Sequence, residues 1–99
     1  MGISTDGTEI TIRFFKAIEL LKANGKIRGT QTFTNAYGIN RRNFISVRKK
    51  PETSFLKPEW ILWLCRDYNI SLEWIFFGTG FFFNREKPDE DKKQIYFVK

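Results

Sequence analysis

Chain-breaking residues divide this sequence at short intervals, and the apolar residues between them recur at helical rather than strand spacing. The breaks are Asn24-Gly25, Gly38, Pro51, Pro58 and the pair Gly78 and Gly80. Asparagine and glycine tolerate the left-handed conformation that ends helices, and proline cannot continue a helix it did not begin. With helical spacing between these breaks, the sequence reads as five short helices with no convincing strand pattern.

Asp6-Gly7-Thr8-Glu9 has capping-box spacing, and Ile10, Phe14, Ala17, Ile18 and Leu21 follow as a one-sided stripe of helical period. This predicts a first helix stopped by Asn24-Gly25. Thr30 is the expected N-cap of a second helix, with Phe33, Ala36 and Tyr37 facing inward before Gly38. Asn40 is the expected N-cap of a third, in which Phe44, Val47 and Ile45 supply apolar contacts before Pro51. Pro58 suits the first turn of a fourth, where its missing N–H does no harm; Ile61, Leu64, Cys65 and Tyr68 face inward and Trp60 and Trp63 widen that face. Ser71 is placed to cap a fifth containing Leu72, Trp74 and Ile75. The expected fold class is therefore all-α: a compact five-helix domain over residues 1–83, then a short charged tail, 84–99, either flexible or contacting a dimer partner.

Hydrophobic content of 41% over 99 residues is enough for one core. No stretch approaches the roughly 18 consecutive apolar residues of a membrane span, so no membrane partner is expected. The first residues lack the basic and apolar regions of a secretory leader, and Asp6 stands where an N-myristoylation motif wants Ser or Thr. Cys65 is the only cysteine and histidine is absent, which excludes an internal disulfide and removes the usual soft metal ligands. Without a histidine, P-loop or nucleophile elbow, no enzyme chemistry is expected, nor a metal or small-molecule cofactor; the expected location is the cytoplasm.

The net charge of +6 becomes informative once mapped. Residues 20–51 hold Lys22, Lys26, Arg28, Arg41, Arg42, Arg48, Lys49 and Lys50 and no acidic residue, whereas the remainder holds nine basic and eleven acidic residues. All of the excess thus lies in one third of the chain, the pattern of a face that binds a polyanion. With Phe44 and Val47 inward, a rotation of about 100° per residue turns Arg42, Ile45, Ser46 and Lys49 outward, with Arg41 flanking them. Arginine pairs bidentately with guanine, serine reaches several bases, and Ile45 suits a thymine methyl group. Arg41, Arg42 and Ser46 are thus candidate base readers, with Asn40 and Asn43 beside them in the first turn. Arg48, Lys49 and Lys50, with Gln31, Lys26 and Arg28, suit phosphates. The expected partner is double-stranded DNA.

The segment 30–49 resembles the helix-turn-helix of the phage lambda repressor and Cro superfamily. The matching residues are the hydrophobic Phe33, Gly38, the aliphatic Ile39, and the inward Phe44 and Val47. Further on, Ile70-Ser71-Leu72-Glu73-Trp74-Ile75-Phe76-Phe77-Gly78-Thr79-Gly80 is similar to the family's fifth-helix ending, a polar cap followed by a tryptophan and two spaced glycines. The likeness covers roughly residues 12–80. Two features depart from the family: Thr34 stands where alanine is usual, and basic Arg48, Lys49 and Lys50 replace an acidic residue near the end of the third helix. The resemblance implies a repressor-like transcriptional regulator acting as a homodimer, with Phe81, Phe82 and Phe83 and the segment 95–98 as candidate dimer contacts.

Trp60, Trp63 and Trp74 lie at helical spacing and are expected in the core, as is Cys65. Three consecutive phenylalanines cannot all turn inward from one short segment, so part of the run at 81–83 is expected on the surface. The competing function is a protein-interaction module or mobile-element accessory factor on the same fold, without specific DNA reading. Such a surface would carry apolar anchors where Arg41 and Arg42 stand.

Overall fold

A computed structural model describes residues 3–84, and the regular structure of these residues is helical. The helices are α1 (Thr5–Ala23), α2 (Thr30–Ala36), α3 (Arg41–Lys49), α4 (Pro58–Tyr68) and α5 (Leu72–Phe77). Among the described residues there is no strand beyond a single antiparallel bridge between Ile70 and Phe83. The expected tail contact at 95–98 lies outside the described residues.

The longest helix, α1, is the post on which α2, α3 and α5 pack. Contact on several sides explains why its buried face is wider than the expected stripe: Thr11 and Phe15 are buried along with Phe14, Ala17, Ile18 and Leu21, while Ile10 is half-buried. The Thr11 hydroxyl donates to the Gly7 carbonyl at 3.0 Å, which satisfies it inside the core. The helix also begins earlier than Asp6. Ser4 is the N-cap, its Oγ accepting from the Gly7 amide at 3.0 Å, and Asp6 falls in the first turn, where its charge faces the positive helix end.

Aromatic rings fill the centre. Phe14, Phe33 and Phe44 are completely shielded from solvent. Phe14 meets Phe15 edge-on at 5.0 Å and reaches Phe33, Phe44 and Trp60 at 6.0 to 6.3 Å between ring centroids. Such offset and edge-to-face contacts add to the apolar area already buried. Ile18, Leu21, Leu64, Ile70 and Ile75 close the core around them.

One expected inward residue, Ala36, faces out. In α2 the buried edge runs between Phe33 and Thr34, which leaves Ala36 exposed; the Thr34 hydroxyl, 1% exposed, donates to the Gln31 carbonyl at 3.3 Å. At α5 the buried residues are the N-cap Ser71 and Ile75, four apart, so Leu72 is turned about 100° away from Ser71 and is 52% exposed. Cys65 is half-buried, and burial pushes its thiol up to about 11, away from the thiolate form.

α5 is only six residues long and depends on contacts from outside itself. The Arg13 guanidinium, on α1, donates to the carbonyls of Ile75 at 2.6 Å and Phe76 at 2.7 Å, supplying partners to groups that a helix C-terminus leaves unpaired. Beyond α5 the chain folds back over the α4–α5 junction: the Ser71 amide donates to the Phe82 carbonyl at 2.8 Å and the Asn84 amide to the Asn69 carbonyl at 2.9 Å. This return sorts the three phenylalanines. Phe82 packs edge-on against Trp74 and, like Phe83, is half-buried, whereas Phe81 is 70% exposed.

No described helix is long and apolar enough to cross a membrane. Because Phe14 touches four other rings and is fully buried, Phe14→Ala should lower the unfolding free energy by about 3–5 kcal/mol, measured by denaturant titration.

Candidate nucleic-acid interface

The geometry of the basic segment is set by a turn between α2 and α3. Tyr37 is the C-cap of α2, and Gly38 follows at φ +63°, a left-handed conformation that costs a residue with a Cβ roughly 1–2 kcal/mol. The Ile39 amide donates to the Thr34 carbonyl at 2.9 Å and the Gly38 amide points to the Asn35 carbonyl at 3.5 Å, the paired closure of a Schellman motif. Ile39 packs against the core, and Asn40 Oδ1 then accepts from the Asn43 amide at 3.0 Å to start α3. Asn40 thus commits one lone pair of its side-chain oxygen to the cap, while its amide nitrogen stays open to a ligand.

The rotation of α3 follows from its two buried residues. Phe44 is completely buried against Phe15 and Trp60, both at 5.0 Å, and Val47 lies 7% exposed beside it. The opposite face carries Arg41, Arg42, Ile45, Ser46 and Lys49, which together line one shallow, open depression. Arg41, Arg42, Ser46 and Lys49 are exposed and Ile45 is half-buried among them.

Two further depressions flank this face. Arg41 is shared with one that also includes Arg28, Thr30, Gln31 and Asn35, at the start of α2. Asn43, about 200° round the helix from Arg41, lies with Asn40 in the other, which also takes in Tyr37, Trp63, Lys57 and Glu59. Arg48 and Lys50 are exposed near the far end of α3 and line none of the three. Lys26 is also apart from this group; its ammonium sits 5.8 Å from the centre of the Phe83 ring.

Among the described residues no acidic side chain neutralises the cations of this surface. Among the described residues the ion pairs are Arg13 with Glu9, Lys22 with Glu19 and Arg66 with Asp67. None involves Arg28, Arg41, Arg42, Arg48, Lys49 or Lys50. Thr30, Asn35 and Lys57 join the surface without having been named as site residues; Thr30, expected as the N-cap of α2, is instead its first residue, with extended Gly29 as the N-cap and no side-chain cap bond made.

A lock between α2 and α4 steadies the turn. The Tyr37 ring stacks on Trp63 at 4.8 Å with a 7° tilt, and its hydroxyl donates to Asp67, which Arg66 holds from the other side at 2.8 Å. The hydrogen bonds from Arg66 and then Tyr37 lower the Asp67 carboxyl to about 2; burial and the bond to Asp67 push the Tyr37 phenol well above its usual range. No protein-family model, curated protein or solved structure matches this chain.

A depressed carboxyl contributes stability that is present above its unfolded value of 3.8 and is lost as pH falls toward about 2. Wild-type protein should therefore lose more stability than Asp67→Asn across this interval, measured by thermal melts at stepped pH. Equal acid sensitivity in the two proteins would show that the lock does not hold in solution.

Proposed function

We propose that this chain is a sequence-specific double-stranded DNA-binding protein, a small repressor-like transcriptional regulator. In this reading α2 and α3 act as a helix-turn-helix of the lambda repressor and Cro kind. The observation that carries it is the outward face of α3, where Arg41, Arg42, Ser46 and Lys49 surround Ile45 and, among the described residues, no acidic side chain pairs with the cations. Guanidinium groups on a helix that fits the major groove match the acceptor pair of guanine, and Ile45 offers an apolar contact to a thymine methyl group. The adjoining depression with Arg28 and Gln31 suits the phosphates of one strand and would fix the register without reading sequence.

The protein works as a homodimer on two half-sites about 34 Å apart, the spacing of one helical turn. Supporting this is an apolar side of α5, where Leu72 and, one turn on, Phe76 are 52% and 41% exposed. The same exposed side favours a second reading, a protein-interaction module that does not read DNA.

Fluorescence anisotropy on a duplex selected from random sequence separates the two. Arg41→Ala and Arg42→Ala should each weaken binding by about 1–3 kcal/mol, roughly 5- to 150-fold, and relax specificity at one base position. If both variants bind like the parent, α3 does not read bases. If the parent binds no duplex even at low salt, the interaction-module reading replaces this one.

A further inference from the structure

α2 is the least self-sufficient part of the basic surface. It has seven residues, buries only Phe33 and Thr34, and makes no side-chain bond at its N-cap. A helix this short takes its orientation from contacts with other elements. The turn that follows it adds little stiffness of its own. Gly38 lies at φ +63°, and apart from its chain neighbours no heavy atom of the described residues comes within 4 Å of where a Cβ would stand.

Tyr37, the C-cap of α2, supplies the missing constraint in two complementary ways. Its ring lies flat on Trp63 of α4, 4.8 Å between centroids and tilted by 7°. Stacking fixes the separation of the two rings but lets one slide over the other, because dispersion has no preferred direction within the plane. The hydroxyl removes that freedom by donating to Asp67, also on α4. The acceptor is itself preset, since Arg66 Nε and Nη2 donate to the two carboxylate oxygens of Asp67 at 2.8 and 3.0 Å.

The tilt of α2 matters at its other end. Gln31 and Arg28 share a depression with Arg41 of α3. Gln31 is about 9 Å along the helix axis from Tyr37, so a tilt of about 15° would displace it by about 2 Å. Binding geometry tolerates only about 0.5 Å. A selected duplex requires backbone contacts from α2 and base contacts from α3 to be met together, whereas an unrelated duplex held by charge alone has no such register. Resting on the DNA-binding reading, we infer that Tyr37 and Asp67 are positioning residues that set the discrimination between selected and unrelated duplexes without touching DNA themselves.

Anisotropy on both duplexes with the full chain tests this. Tyr37→Phe keeps the stacked ring and loses only the hydroxyl; Asp67→Ala removes its acceptor. If either change leaves the binding-competent arrangement about one-tenth populated, affinity for the selected duplex falls about tenfold, and binding to the unrelated duplex does not weaken. The double variant should be no worse than either single one, because both remove the same contact. Asp67→Asn, whose side-chain oxygen still accepts from the hydroxyl, should keep most of the discrimination, a rescue that a general loss of stability would not produce. If Arg41→Ala weakens binding but Tyr37→Phe and Asp67→Ala bind both duplexes like the parent, the positioning role is refuted and the α3 reading stands. If Tyr37→Phe weakens both duplexes alike and Asp67→Ala neither, the hydroxyl is itself a backbone contact and the inference falls. Absence of any duplex binding by the wild type overturns both readings together.

Discussion

Phe44 sits among the rings of Phe14, Phe15, Phe33 and Trp60, and the placement of the whole basic surface depends on that insertion. An α-helix has one rotational degree of freedom about its axis once its position is set, and a fully buried aromatic ring removes it. With Phe44 and Val47 directed inward, Arg41, Arg42, Ser46 and Lys49 have no way to reach the core. The cost of exposing a phenylalanine side chain, of the order of 1.5–3 kcal/mol, is what holds the cations in register. The hydrophobic effect in the core thus becomes angular precision at the surface.

The surrounding contacts transmit the same constraint. Gly38 and the Schellman closure set the reversal from α2 into α3, and Asn40 starts the new helix within two residues of it. Tyr37, stacked on Trp63 and bonded to Asp67, ties the end of α2 to α4, so the turn cannot swing independently of the core. Arg13 plays a comparable part from the middle of α1, its guanidinium closing the last turn of α5. Short helices that would be marginal alone are each held by a ring or a charged group from another helix.

Periodicity was a good guide where one helix face meets one neighbour. The inward Phe44 and Val47, the Asn40 cap and the stop at Gly38 were all legible, because each rests on interactions within a few residues. It was a poorer guide where several neighbours compete for one helix: α1 buries Thr11 and Phe15 because it is enclosed on several sides, and Ala36 is displaced from the core by Thr34. The first cap was misplaced from Ser4 to Asp6 because both residues have capping chemistry and only the backbone distinguishes them. Contacts between distant positions left no trace in the local pattern: Arg13 meets Ile75 across 62 positions, and Tyr37 meets Asp67 across 30. Within the candidate site, the residues on α3 were readable from rotation alone. The position of Lys57 beside Asn43 depends on a loop path that no periodicity encodes.

The central claim is that the face opposite Phe44 is where DNA meets this protein. Titration of isotopically labelled protein with a selected duplex, followed by backbone amide chemical shifts, reads that face directly and assigns the contact residue by residue. The account predicts that the largest shifts fall on residues 41–49 and on residues 28–31, with α5 little changed at the first half-site. Shifts concentrated on α5, with α3 unmoved, would contradict it.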